Sequence, residues 1–440
     1  TNAGDVLVND MNVNGGAINS AAVDVEKGGV ARLYGTDDWT LTNTLDIASG
    51  GELVLSAGSG SDGTYNTVQF AGMGQIVSGT VTLDGAQLYL GGTDVQTGGA
   101  ANATVLANAH VNVSGNGYLH VEEGNDAQTL AGLSLQKNSH LVFEGTLGAS
   151  DTPTTALGQL KVGSLDVVGG TIHLTTSNTA GTGDTVSNDS LLNVAGNGTF
   201  QSLIEVAGEN EIVTDDELDN ASLVVDGSNG VVSNIMDGTD KVAEATFGFG
   251  DHLVASVDGK HAGVQYELQL INLYDAAKTL EITESGGLDV RITGSGNLLV
   301  SSDTLTLTNK EGEANDYSGT TMVGASGKLV AGAGTLGSTS ALIVSGTYTN
   351  SGSNAVGGFD LMGTAELNNG TTLTVTGTSG DENDLTGTLT GTGTLALESG
   401  ETVVSSNNSG YGGEVVLGKD GGLDAEILLG AGASLGTGTI

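Results

Sequence analysis

The chain has 440 residues with 74 glycines, one proline (Pro153), no cysteine and 4% aromatics, which excludes disulfide or thiol chemistry and a core built on large rings. Its 52 acids and 11 bases give a formal charge of −41, which opposes binding to nucleic acid or anionic lipid, because counterion release needs clustered lysines and arginines. No apolar run approaches the roughly 20 residues of a membrane span, and steady alternation within the 38% apolar residues argues against disorder despite the charge.

From Thr1, where no charged-then-apolar leader stands, to about Thr175 a short phrase returns. It is seen at Gly29–Leu33, Gly51–Leu55, Gly85–Leu90, Gly117–Val121, Ser139–Phe143 and Gly170–Leu174. Glycine allows a tight corner, and the alternating run after it points apolar side chains to one face. From Leu53 through Leu88, Leu119 and Leu141 to Ile172 the steps are 35, 31, 22 and 31 residues. A step of 22 reads as a bare turn of a solenoid. Longer steps carry insertions, at Ala57–Thr67, Gly91–Ala101, Glu122–Gln128 and Gly145–Leu157.

Over 176–286 the phrase fades into irregular rungs with long loops. Ser177–Ser190 is polar, and Asp215–Asp219 is a dense acidic run. Gln265–Lys278 is free of glycine and predicts a strand in which Tyr266, Leu268 and Leu270 alternate, followed by a helical turn at Asp275–Lys278.

The rhythm resumes over 287–440, where one unit is written almost twice. The first copy has Gly294-Ser-Gly296-Asn-Leu298, then Leu305-Thr-Leu307-Thr, Asn315-Asp-Tyr317-Ser-Gly319-Thr-Thr321-Met-Val323 and Gly327-Lys-Leu329. The second has Gly391-Thr-Gly393-Thr-Leu395, Asn408-Ser-Gly-Tyr411-Gly-Gly413-Glu-Val-Val416 and Gly421-Gly-Leu423. It carries Glu414 where the first has Thr320. A third begins at Gly436-Thr-Gly438-Thr-Ile440. Such a unit cannot bury its apolar face alone and is stable only against a like neighbour.

This unit resembles the passenger-associated repeat of bacterial autotransporters, closely over 290–440 and in rhythm elsewhere. The resemblance implies a right-handed parallel β-helix on a Gram-negative surface, in the AIDA-type, self-associating branch. It further implies a signal peptide and a C-terminal membrane β-barrel outside these residues, the barrel being the passenger's connection to the membrane.

Enzymatic signatures fit poorly. Neither the Gly-Asp-Ser-Gly turn of protease passengers nor the Gly-Asp-Ser-Leu of lipase passengers occurs; Gly183-Asp184-Thr185-Val186 comes nearest. The adjacent pairs Asp37-Asp38 and Asp215-Asp216 have no arginine or histidine just downstream, as pectin-cleaving β-helices would need. His120, His140 and His173 sit within the strand phrase, where alternation points them outward as solvated or rung-stacked groups. Gly58–Gly63 resembles one calcium-binding nonapeptide turn but does not repeat. No cofactor or metal is expected.

Six of the eleven bases, Lys241, Lys260, Lys278, Arg291, Lys310 and Lys328, follow at steps of 19, 18, 13, 19 and 18. Near-rung spacing makes them a candidate partner-binding ladder for a sulfated glycan, although acids lie beside each.

The expected fold is all-β: a single right-handed parallel β-helix (β-solenoid), three faces per rung, continuous from 1–175 through 176–286 to 287–440. It would have about 16–18 rungs over a length on the order of 80 Å. The expected function is a cell-surface adhesin binding host matrix components (glycosaminoglycans, fibronectin-like proteins), self-associating, or both. A polysaccharide-degrading enzyme and a structural stalk are the alternatives.

Overall fold

The structure is a computed structural model. It describes residues 6–8, 23–35, 38–41, 44–57, 66–72, 74–92, 98–124, 126–147, 157–178, 185–187, 191–192, 199–208, 212–227, 230–309, 314–377, 382–418 and 425–439. Residues 58–65, the Gly183-Asp184 pair, Asp37 and Lys310 therefore lie outside the described residues. The fold is all-β and built of parallel β-helix rungs, as the alternation predicts. It divides into two compact units. One comprises 1–180, 199–230 and 249–266; the other comprises 181–198, 231–248 and 267–440, so the irregular middle segment is shared between them.

In the first unit, one face stacks Val6–Val8, Val30–Gly35, Glu52–Ala57, Thr80–Asp84, His110–Ser114, Gly132–Leu135 and Leu165–Val167, all parallel. A second stacks Gln87–Leu90, Tyr118–Val121, His140–Leu147, Thr171–Asn178 and Ser222–Gly227. On this second face Leu88, Leu119, Leu141 and Ile172 stand in register, as their spacing predicts. Leu53 does not join them: it pairs with Val81 on the first face, so the 35-residue step joined two different faces.

The third face holds Val23–Val25, Leu45–Ile47 and Gln75–Val77, and later Gln128–Leu130, Leu160–Val162 and Thr199–Val206. Between Gln75–Val77 and Gln128–Leu130 the chain forms the helix Gly99–Leu106. Asn102, with no exposed surface, fixes it: its Oδ1 accepts from Phe70 N at 2.7 Å and its Nδ2 donates to Tyr89 O at 2.8 Å. Part of the segment expected to be a loop insertion is thus a rung element whose helical backbone is tied to two strands.

Two other local departures follow from hydrogen bonding. The segment Val254–Gly263 turns back as a hairpin, and its second strand pairs antiparallel with Thr199–Val206. The strand expected from Gln265 runs over His261–Leu273, but Asp275–Lys278 is a turn rather than helical. There the Asp275 carboxylate accepts from Ala277 N and its carbonyl from Lys278 N, both at 2.9 Å. Such side-chain-to-backbone bonds compete with a helix.

In the second unit the long strands Asn297–Thr308 and Thr321–Ala331 each bend across two faces, with the register slipping between Val300 and Ser302. One internal column runs Leu305, Leu329, Tyr348, Ala365, Leu389, all without exposed surface. A small residue in the rung after Tyr348 makes room for the ring, which holds the layer at close packing.

The repeat glycines have a common cause. Gly294, Gly391 and Gly436, which open the three copies, have φ of 97°, 96° and 108°, a region that L side chains rarely enter. A Cβ on Gly319 would overlap the Gly296 carbonyl oxygen, one on Gly413 that of Gly393, and one on Gly438 that of Gly413. Corners of successive rungs thus touch through backbone alone.

The asparagines and tyrosines point inward. Asn315 Oδ1 accepts from Ile292 N at 2.8 Å, and its Nδ2 donates to Thr335 O at 2.7 Å, so one side chain ties three rungs. Asn408 accepts from Leu389 N at 2.7 Å in the same way. Tyr317 and Tyr411 have no exposed surface. Their hydroxyls are satisfied differently: Tyr317 Oη lies 2.7 Å from Thr321 Oγ1, whereas Tyr411 Oη donates to Gly393 O at 2.7 Å. The change from Thr320 to Glu414 falls on an outward position and leaves this packing intact.

Candidate binding face

Of the six predicted bases Lys310 lies outside the described residues, and the four in the second unit, Lys241, Lys278, Arg291 and Lys328, do not form one column. Lys260 belongs to the first unit, on the hairpin, where its Nζ donates to Gly208 O at 2.8 Å. In the second unit Lys241 pairs with Glu244 and lies 4.8 Å over the Tyr274 ring. Lys278 pairs with Asp240, and Arg291 with Asp316, each at 3.1 Å. Arg291 and Lys328 occupy different strand stacks, the latter in register with Thr304 and Thr347. Near-rung spacing does not give one column because rung length varies: neighbouring rungs here are offset by 18 residues between Leu280 and Leu298 but 24 between Leu305 and Leu329.

A denser group stands on the outer side of the first unit's second face. Register places Gln87, Tyr118, His140 and Thr171 in one column and Tyr89, His120, Val142, His173 and Val224 in the next. The rings stack from rung to rung: Tyr89 on His120 with centroids 4.2 Å apart, Tyr118 on His140 at 4.1 Å and an interplanar angle of 7°. His120 Nδ1 lies 3.2 Å from Glu144, and its Nε2 has no partner. His140 Nδ1 lies 3.0 Å from His173 Nε2, and His173 Nδ1 lies 3.0 Å from Asp226.

Burial sets the electrostatics here. The Tyr89 hydroxyl is pushed up to about 12 by desolvation, helped by Glu144 and Glu122. His140 is lowered by desolvation first and by His173 second. Both shifts favour the neutral forms of Tyr89 and His140, while Glu144 stands beside His120 and Asp226 beside His173. Most of the imidazole nitrogens are engaged within the face, by Glu144, Asp226 and each other, and the Tyr89 hydroxyl accepts from Gln87 Nε2. Outward histidines at 120, 140 and 173 agree with the alternation. Their partners Tyr89, Tyr118, Glu144 and Asp226 were not anticipated, although the Leu88–Leu119–Leu141–Ile172 register, advanced by one residue, gives the column Tyr89, His120, Val142, His173.

A second feature is an open depression of about 480 Å³ lined by Phe200, Ser202, Ser256, Val257, Asp258 and His261. Ser202 Oγ lies 2.9 Å from His261 Nδ1, a nucleophile–base distance. Asp258 does not complete a triad: its Oδ1 accepts from Ser256 Oγ at 2.6 Å and Lys260 N at 3.0 Å, bonds that pull its carboxyl below the usual range and fix the hairpin turn. Among the described residues no group of three or more histidine and acidic side chains converges as a metal cage.

Comparison with protein-family models, with curated proteins and with solved structures finds no match for this chain.

Proposed function

We propose that the chain is the surface-exposed passenger of a Gram-negative autotransporter adhesin, which makes contact through flat solenoid faces rather than an enclosed pocket. The observation that carries this reading is the division of labour within the repeat. Glycine, asparagine and tyrosine of both copies are committed to corners and interior. The outward positions are free to vary, as Thr320 and Glu414 do. Faces of this kind suit extended partners held by many modest polar contacts.

The partner class we favour is a matrix protein or a second copy of the chain. A sulfated glycan is disfavoured, because Lys241, Lys278 and Arg291 are each neutralised by an acid and the chain carries −41 overall. At physiological salt, screening beyond about 8 Å relieves repulsion between copies while contact hydrogen bonds persist.

The test is binding of the purified chain to immobilised fibronectin and to itself, by surface plasmon resonance and sedimentation velocity, at low and physiological salt. Saturable binding that persists at the higher salt is expected. Absence of both interactions together with turnover of polysaccharide would replace the adhesin with an enzyme; absence of all three would leave a stalk.

A further inference from the structure

Two imidazoles on the outer side of the Gln87–Leu90, Tyr118–Val121, His140–Leu147, Thr171–Asn178 and Ser222–Gly227 sheet face each other nitrogen to nitrogen. His140 Nδ1 and His173 Nε2 are 3.0 Å apart. They come from adjacent rungs and are offset diagonally, His140 opposite Thr171 and His173 opposite Val142. Behind them, His173 Nδ1 is 3.0 Å from Asp226 Oδ2, one rung further on.

That carboxylate dictates the tautomer. Asp226 accepts from Nδ1–H, so Nε2 of neutral His173 presents its lone pair. His140 is held by stacking on Tyr118, and its Nδ1 faces that nitrogen. In the absence of a cation His140 donates Nδ1–H to that lone pair. When its proton sits on Nε2 instead, two lone pairs face each other across 3.0 Å. A cation requires both imidazoles neutral. Other charged groups around the pair are Glu144, with its side chain 36% exposed beside His120, and Asp226, 51% exposed. Both are anionic and favour a cation.

We propose that His140 and His173 form a two-imidazole chelate for a late first-row divalent cation, with Asp226 as the positioning residue and water in the remaining coordination positions. Metal–nitrogen bonds of about 2.0–2.1 Å at a right angle span about 2.9 Å between donors. The observed separation of 3.0 Å matches that span, and small ring rotations bring both lone pairs onto a cation beside the nitrogen–nitrogen line. Imidazole pairs select Cu(II), Ni(II) and Zn(II) over Mg(II) and Ca(II), which take oxygen ligands. An aspartate accepting from the distal nitrogen of a ligating histidine is the usual outer-shell partner. The absence of a converging third protein donor among the described residues makes this an exchangeable two-point site rather than a structural cage.

The experiment titrates CuCl2, NiCl2 and ZnCl2 separately into the full chain by calorimetry at neutral pH, with Cu(II) electron paramagnetic resonance at one equivalent. The expected result is one tighter site per chain with coupling to two imidazole nitrogens. His140→Gln and His173→Gln should each weaken it at least about tenfold, and Asp226→Asn by about 10–100-fold. His252→Gln, an exposed histidine beside Asp251, should leave it unchanged. Affinity unaltered by both His140→Gln and His173→Gln, or a wild-type spectrum without two-nitrogen coupling, overturns the proposal. The spectrum is read on unmodified protein, so misfolding of a variant cannot shield it.

Discussion

Replacing Asn315 by alanine should loosen three rungs at once. Asn315 is 4% exposed and supplies the acceptor for Ile292 N, 23 residues before it, and the donor for Thr335 O, 20 residues after it. Alanine leaves one buried N–H and one buried C=O without partners. Each such group costs about 1–3 kcal/mol, so the loss is about 2–6 kcal/mol, with about 4 kcal/mol the central value. At about 1.4 kcal/mol per factor of ten, native-state hydrogen exchange at the Ile292 amide should accelerate about a thousandfold. The urea midpoint should fall in parallel. Asn315→Asp should not rescue, because its carboxylate would face the Thr335 carbonyl. Asn369→Ala, at an exposed turn position, is the control and should stay within about 0.5 kcal/mol of wild type. An Asn315→Ala cost below about 1 kcal/mol, with Ile292 exchange unchanged, would refute the inter-rung role.

Other predictions follow from particular contacts. Gly363→Ala places a Cβ on the Gly346 carbonyl oxygen, and Gly346 itself abuts Gly324 and Gly327. The variant should lose more than about 3 kcal/mol in urea unfolding, against less than about 0.5 kcal/mol for an exposed surface change such as Asn369→Ala. His140 has its folded pKa held below its unfolded value, so its neutral form adds stability at pH above about 6.5, and this is lost as pH falls below that value. The stability difference between wild type and His140→Gln, measured by thermal unfolding from pH 8 to pH 5, should therefore shift against wild type as pH falls; a flat difference would contradict the assignment. Gln at Lys260, Lys278, Arg291 and Lys310 together should leave heparin retention weak and unaltered, and a marked drop would restore the basic ladder. In urea, the part from about Gly287 should outlast the part ending near Thr175, because Asn315, Asn354, Asn383 and Asn408 tie its rungs by side-chain bonds to the backbone; the reverse order of loss of hydrogen-exchange protection would sink this.

How far the residues themselves predict the fold depends on what fixes each element. Alternation after glycine sets strand identity and facing locally, so the column through Leu88, Leu119, Leu141 and Ile172 is readable from spacing. Rung length is not local: Leu53 was misplaced because the 35-residue step from it to Leu88 joined strands of two different faces. The helix Gly99–Leu106 carries no side-chain cap at its start, no acid in its first turn and no base in its last. Its position comes from Asn102, whose partners Phe70 and Tyr89 lie 32 and 13 residues away. The inward asparagines outside the repeat, Asn354 on Leu336 N and Asn383 on Phe359 N, look in sequence like the polar residues that cover the faces. The candidate face was half legible. Histidine orientation follows from alternation, but Asp226 reaches His173 from 53 residues away in sequence.

The measurement that bears most directly on the adhesin reading is display of this chain on a Gram-negative outer membrane, followed by settling of the cell suspension and retention on fibronectin-coated surfaces. The account predicts that displaying cells aggregate or adhere at physiological salt, while cells displaying the Gly363→Ala variant, with its rung stack disrupted, do neither. Displaying cells that neither settle nor adhere, with the chain verified as folded and exposed, would contradict it.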